Sequence, residues 1–237
     1  MFELSKELDI KVASDIGPNK KNAIVIDNFY ANPDEVRNLC LQSKQITSED
    51  NPGLISNLPG NRVFIETEEV SKKLKNLFLM ICSDFYLWQR PFDDSAFNSN
   101  WNMIGFMCNV INDSTLLKNP SGITPHQDSY PADNQISKTQ FGSVIYLNTP
   151  EECAGGTNIY SFDGRTTLPY GSDIEQQCGK SFDDINSGLK KYPWKVEHEF
   201  EMIYNRCILY EADILHGQNV DLGMFVEYDR INQTLFM

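Results

Sequence analysis

The sequence predicts a mainly β protein with helices, an α+β chain whose core is a double-stranded β-helix, or jelly roll, with N-terminal helices packed on one sheet. Three observations carry that expectation. Helical periodicity with capping signals is concentrated before residue 100. From Trp101 the chain becomes short segments rich in Ile, Val, Tyr and Phe, punctuated by Gly, Pro, Asn and Asp. At 237 residues it is also of a length that one substantial core can organise. Residues 1–237 are therefore read as one domain, in which 1–100 supply a strand and helical support and 101–237 the jelly-roll core.

The elements follow in order. Ala23 to Phe29 reads as a strand, and Asn32-Pro33-Asp34-Glu35 combines a capping residue, a first-turn proline and a glutamate, so a helix starts near Pro33 and runs to about Ser43. The stretch to Gly60, rich in Asn, Ser, Pro and Gly, reads as a loop. Thr67 can cap a second helix, with Glu68 and Glu69 at its positive end and Val70, Leu74, Leu77, Phe78, Ile81 and Phe85 along one face. Strands are expected near 101–111, 124–128, 141–148, 157–162, 197–203, 206–212, 214–220 and 229–236. Residues 163–196 form too long a connection for a hairpin and read as a partly ordered flap. Gly155-Gly156 reads as a turn of positive φ ahead of a strand.

Composition excludes several classes of function. The net charge of −13 opposes non-specific binding to nucleic acid or to anionic membranes, since both depend on clustered Lys and Arg. No apolar run approaches the roughly 20 residues of a membrane span. The N-terminus lacks a basic segment followed by an apolar one, and the six cysteines are scattered without a C-x-x-C pair. A soluble protein of the reducing cytoplasm is expected, its oligomeric state not legible.

The chemistry lies in His126-Gln127-Asp128 and a distant His216, two of the three histidines. On an extended segment residues two apart share a face, so His126 and Asp128 with His216 can occupy one side of a metal. An H-x-D alone is a weak signal. Its context is stronger: Tyr146-Leu147-Asn148, then Gly155-Gly156-Thr157, then His216, then Arg230 on a C-terminal strand.

In that order, over roughly 101–237, these residues resemble the Fe(II)- and 2-oxoglutarate-dependent oxygenases, most closely the prolyl 4-hydroxylase-like branch. The opening Val25 to Arg37 is also similar to an uncharacterised family of small oxygenase-like proteins. The resemblance implies that His126, Asp128 and His216 hold Fe(II), that 2-oxoglutarate and O2 take the open positions, and that succinate and CO2 are released as a substrate is hydroxylated. It places Arg230 on the far carboxylate of 2-oxoglutarate, where an Arg fork gives two parallel hydrogen bonds. Asn232 stands where relatives often carry a hydroxyl, and the 14 residues from His216 to Arg230 are more than is usual, so a loop through Asp221-Leu222-Gly223 must absorb them. A carboxylate at Asp128, where related halogenases have a small residue, points to hydroxylation or desaturation.

Tyr146 and Asn109 are further candidates for cosubstrate contact, with core filling the plain alternative for Tyr146. For Arg230 that alternative is a surface ion pair with Asp229 or Glu227. His198, in Glu197-His198-Glu199, reads as alternating exposure and not as a ligand, and Arg206 reads as a solvent-facing turn residue held as the fallback for Arg230. Loops 44–60 and 163–196 are expected at the entrance, with Trp194, Tyr170 and Arg165 as substrate contacts. A peptidyl side chain, free amino acid or small metabolite fits as substrate. The rival reading is a non-catalytic or cupin-like metal-binding jelly-roll protein.

Overall fold

A computed structural model describes residues 1–47, 50, 60–84, 106–118, 123–129, 141–169 and 181–236, with the backbone alone for 78–84 and 182. Among these residues lie β1 (Asp9–Ile16), β2 (Lys21–Asp27), α1 (Pro33–Gln42), β3 (Gln45–Ile46), β4 (Asn61–Ile65), α2 (Glu68–Asp84), β5 (Phe106–Ile111), α3 (Asp113–Lys118), β6 (Phe141–Tyr146), β7 (Gly156–Phe162), α4 (Phe182–Lys191), β8 (Trp194–Glu201), β9 (Cys207–Glu211), β10 (His216–Asn219) and β11 (Arg230–Phe236). One sheet has eight strands in the order β1-β2-β9-β6-β11-β5-β4-β3, the other three in the order β10-β7-β8. Every ladder among the described residues is antiparallel.

Strand alternation sorts the large sheet into two faces. Ile24 and Ile26, Cys108 and Val110, Ile145, Leu209, Ile231 and Leu235 form one cluster with Val36 and Cys40 of α1 and Leu74 and Leu77 of α2. That is the helix-covered face. The opposite face carries Ala23, Val25, Ile111, Val144, Tyr146, Ile208 and Tyr210, which share a second cluster with Ile159 and Phe200 of the small sheet. The two sheets therefore pack face to face, and side chains of the inner face decide what the space between them can bind.

The helix-on-sheet arrangement and seven of the strand regions agree with the sequence pattern, with several differences. Residues 124–128 form only an isolated bridge at His126. β8 begins at Trp194, three residues before the expected 197. β1 escapes the pattern because its Asp and Lys residues alternate on an exposed sheet edge with no buried stripe. The 163–196 connection contains α4, capped where Ser181 Oγ accepts from Asp184 N at 3.1 Å, and the start of β8. Thr67 does cap α2, its hydroxyl accepting from Val70 N at 3.2 Å. Asn32 does not use its side chain as a cap, and Glu35 N bonds to its carbonyl at 3.2 Å instead. Residues 101–105 of the expected first core strand, and most of loop 44–60, lie outside the described residues. No helix among the described residues is long and apolar enough to cross a membrane.

Candidate metal centre

His126 and His216 meet as an antiparallel bridge: His126 N donates to His216 O at 2.8 Å and His216 N to His126 O at 2.9 Å. Pairing the backbones brings the imidazoles together, with centroids 4.5 Å apart. Asp128 arrives by a different bond. The N–H groups of Asp128 and Ser129 both donate to Ala212 O at 2.9 Å, in the turn that leads into β10. The ligand atoms of His126, Asp128 and His216 consequently lie within 4.8 Å of one another, with His216 Nε2 3.5 Å from Asp128 Oδ2.

The ring nitrogens are assigned by their partners. Nδ1 of His126 is 2.9 Å from Thr124 O, and Nδ1 of His216 is 2.9 Å from Ile214 O. A carbonyl only accepts, so each Nδ1 carries the proton and each Nε2 keeps a lone pair for a metal. Burial holds His216 well below the usual histidine range, helped by the neighbouring His126, so it is neutral and ready to ligate. Burial raises the Asp128 carboxyl to about 6 against the opposing pull of His126. The same desolvation that makes a bare carboxylate costly here favours a cation beside it.

Residues around the trio were not singled out by the sequence. Gly142 of β6 is open space for Asp128: a Cβ there would stand 2.6 Å from Asp128 Oδ2 and 2.8 Å from the Tyr210 ring. Tyr210, opposite Gly142 in the ladder, lays its ring on His216 with centroids 4.5 Å apart. Gln127 turns away, donating Nε2 to Ser129 O at 3.1 Å and accepting from Leu168 N at 2.8 Å, which ties the ligand segment to the loop after β7. Lys21 donates to Glu211 at 2.7 Å and Asp213 at 2.9 Å, gripping both sides of Ala212. Gln218 had the one usable signal, since it lies two residues after His216 on β10 and so shares its face.

Gln218 leads to Arg230. The guanidinium is 1% exposed, donating Nη1 to Gln218 Oε1 at 3.0 Å and to Asn232 Oδ1 at 2.5 Å, and Nη2 to Gly156 O at 3.3 Å. Its Cζ lies 5.6 Å from the centroid of Tyr146, whose hydroxyl is 2.7 Å from Thr157 Oγ1. All these partners are neutral, and Nε has none among the described residues. The surface-pair alternative is thus set aside: Asp229 instead accepts from Asn112 Nδ2 at 2.8 Å. Burial lowers the Arg230 pKa, opposed by Tyr146, and burial raises that of Tyr146. Asn109 is 3% exposed and sits opposite Asn232 in the ladder, as Tyr146 does on the other side.

Other expectations divide. Arg206 is not solvent-facing: Nε and Nη2 fork onto Asp27 at 2.6 and 3.0 Å, so its charge is already spent. His198 pairs with Ile159 in the ladder and rests on Phe200, apart from the trio. Gly155 and Gly156 have φ of +65° and +154°, and a Cβ at either would lie within 2.0 Å of a backbone oxygen of β10 or β8. The loop after β10 turns at Gly223, whose N–H donates to Asp113 Oδ2 at 2.7 Å, and buries Phe225, which absorbs the extra length before Arg230. Trp194 packs edge-on against Phe162, Arg165 is exposed on a turn, and Tyr170 lies outside the described residues.

Fold and site together define an antiparallel, β-rich α+β protein carrying a His-Asp-His group able to hold a metal. Over residues 8–231 the chain matches the model of DUF6445, a family of unknown function, and it belongs to that family. No curated protein matches it in sequence. Among solved structures it is similar to a prolyl-4-hydroxylase from Pseudomonas putida, at 11% identity and a TM-score of 0.44 over 96% of this chain and 91% of that one. It is also similar to an N-substituted L-amino acid dioxygenase from Burkholderia ambifaria, at 13% identity and a TM-score of 0.40 over 92% of this chain and 82% of that one.

Proposed function

We propose that this chain is an Fe(II)- and 2-oxoglutarate-dependent dioxygenase on a jelly-roll core, of the prolyl 4-hydroxylase-like branch. It would hydroxylate a peptidyl side chain, amino acid or small metabolite, with release of succinate and CO2. One observation carries this reading: a His-Asp-His group with both Nε2 lone pairs free for a metal is linked, through His216 and Gln218 on one strand, to a buried arginine with no carboxylate partner among the described residues.

The donor set fits the metal. Two imidazoles and one carboxylate on one side suit Fe(II) and leave adjacent positions for cosubstrate and O2. When bound, the iron would supply the oxygen activation that no side chain can. His126, Asp128 and His216 hold it, and Tyr210 fixes the ring plane of His216. Arg230 binds the far carboxylate of 2-oxoglutarate, a paired interaction strengthened by burial. Asn232 holds the guanidinium in register, Tyr146 supports it from below, and Asn109 presents an amide from the next strand. With Asp128 occupying a ligand position, hydroxylation or desaturation is favoured over halogenation.

The free thiols of Cys40, Cys108 and Cys153 among the described residues support placement in the reducing cytoplasm, and the acidity supports a small-molecule or peptide partner over nucleic acid or membrane. The test is succinate formation from 2-oxoglutarate with Fe(II) and O2 across peptide and metabolite pools. The wild type should form it and Asp128→Ala should not. A wild type that binds the metal yet consumes no 2-oxoglutarate with any pool would be a metal-binding protein without turnover.

A further inference from the structure

Arg230 is not the only arginine buried on the inner face. In β4, Val63 and Ile65 join the helix-side cluster, so alternation turns Arg62 to the side facing the small sheet. Arg62 is 5% exposed, and its Nε has no hydrogen-bond partner among the described residues. No ion pair of this guanidinium exists among the described residues. Burial brings its pKa down to about 10, with Cys108 the one group opposing. A buried guanidinium without a counter-charge is costly to keep, and two such groups on one face are more than 2-oxoglutarate requires.

Its neighbour sharpens the chemistry. Arg62 stands directly opposite Asn109 in the β4–β5 ladder, and Asn109 stands opposite Asn232 in the next. Directly opposed side chains on one face are within reach of one another. Asn109 Oδ1 is buried and accepts no hydrogen bond among the described residues. A cationic fork beside an unfilled acceptor is complementary to a carboxylate with an N–H on the adjoining carbon. A hydrocarbon offers neither, and a phosphate carries its O–H donor on the anionic centre itself, not on an adjoining carbon.

We propose that Arg62 and Asn109 form a second anion site in the inter-sheet space, distinct from Arg230, which binds the carboxylate and the adjacent N–H of an amino acid, an N-acyl amino acid or a peptide C-terminus. Its meaning as a substrate site rests on the dioxygenase reading, whereas binding itself does not. Arg62 takes the carboxylate in two parallel hydrogen bonds and Asn109 accepts from the N–H. Asn109 lies between the two arginines, so the occupants of both sites are held side by side.

The test is calorimetric titration of the full chain with N-acetylglycine, N-acetylglycinamide and inorganic phosphate, each with and without saturating 2-oxoglutarate. N-acetylglycine should bind one to one in the presence of 2-oxoglutarate, at least 10-fold more weakly to Arg62→Gln, and unchanged to Arg230→Gln. The amide and phosphate should bind at least 10-fold more weakly than N-acetylglycine. Arg62→Lys, which keeps the charge and loses the fork, should fall between. Equal binding by wild type and Arg62→Gln, displacement by 2-oxoglutarate, or equal binding of phosphate overturns the proposal. Unaltered 2-oxoglutarate binding by Arg230→Gln, with N-acetylglycine binding still lost in Arg62→Gln, would instead defeat the cosubstrate assignment and leave this site standing. Thermal melting guards against misfolding, because removing a buried charge that has no ion pair among the described residues should leave Tm unchanged or higher.

Discussion

His126 and His216 are joined backbone to backbone, each donating its N–H to the other's carbonyl, so the two imidazoles are brought together by main-chain bonds that no side-chain substitution removes. Replacing His126, Asp128 or His216 by Ala should therefore leave the fold intact while weakening metal binding on the order of 100-fold or more. Titration with Co(II) or Mn(II), beside thermal melts, checks this. A variant that unfolds without metal loss in its folded fraction contradicts it.

Gly142 is required for space, with no special φ. Gly142→Ala puts a methyl 2.6 Å from Asp128 Oδ2 and forces the carboxylate aside. Metal affinity should drop about 10-fold or more, with a stability cost of about 1–3 kcal/mol from overpacking. Affinity equal to wild type would show that Asp128 is not held where the geometry places it.

Lys21 bridges Glu211 and Asp213, and all three side chains are at most 12% exposed. Lys21→Met leaves two buried carboxylates facing each other and should cost about 3–5 kcal/mol in urea unfolding. Because Ala212 between them accepts from Asp128 N, metal affinity should fall as well.

Arg206 fixes the pH dependence of the β2–β9 pairing. Its hydrogen bonds, with Lys11 assisting, hold the Asp27 carboxyl below its ordinary 3.8 against a smaller opposing effect of burial. The folded chain then carries fewer protons than the unfolded one in acid, so this stabilisation is full above about pH 5 and lost as pH falls through the folded value. Asp27→Asn should be less stable than wild type by about 1–3 kcal/mol at pH 7, and the difference should shrink toward pH 3. Urea unfolding across that range checks the sign.

How much could be read in advance depended on the kind of signal. His126, Asp128 and His216 were legible because ligand-type residues are rare in this chain and stand in a spaced order. Arg230 was singled out by the resemblance, and the period of two along one strand put Asn232 on its face. Gly142, Tyr210 and Lys21 were not, because each acts through cross-strand register or a distant turn, which single-sequence periodicity does not encode. Arg206 misled for the same reason: its neighbour Asn205 marks a turn, but the Asp27 that captures it is 179 residues away. Arg62 lies in β4, a strand the sequence pattern did not predict, and only the alternation of Val63 and Ile65 sets its direction.

In the proposed function, iron and a 2-oxoacid bind together at His126, Asp128, His216 and Arg230. Anaerobic addition of Fe(II) and then 2-oxoglutarate, followed by visible absorption, tests it most directly. A metal-to-ligand charge-transfer band should appear that needs both components, is absent in Asp128→Ala, and requires much higher 2-oxoglutarate in Arg230→Gln. A folded wild type that shows no band, and binds neither component by calorimetry, would contradict it.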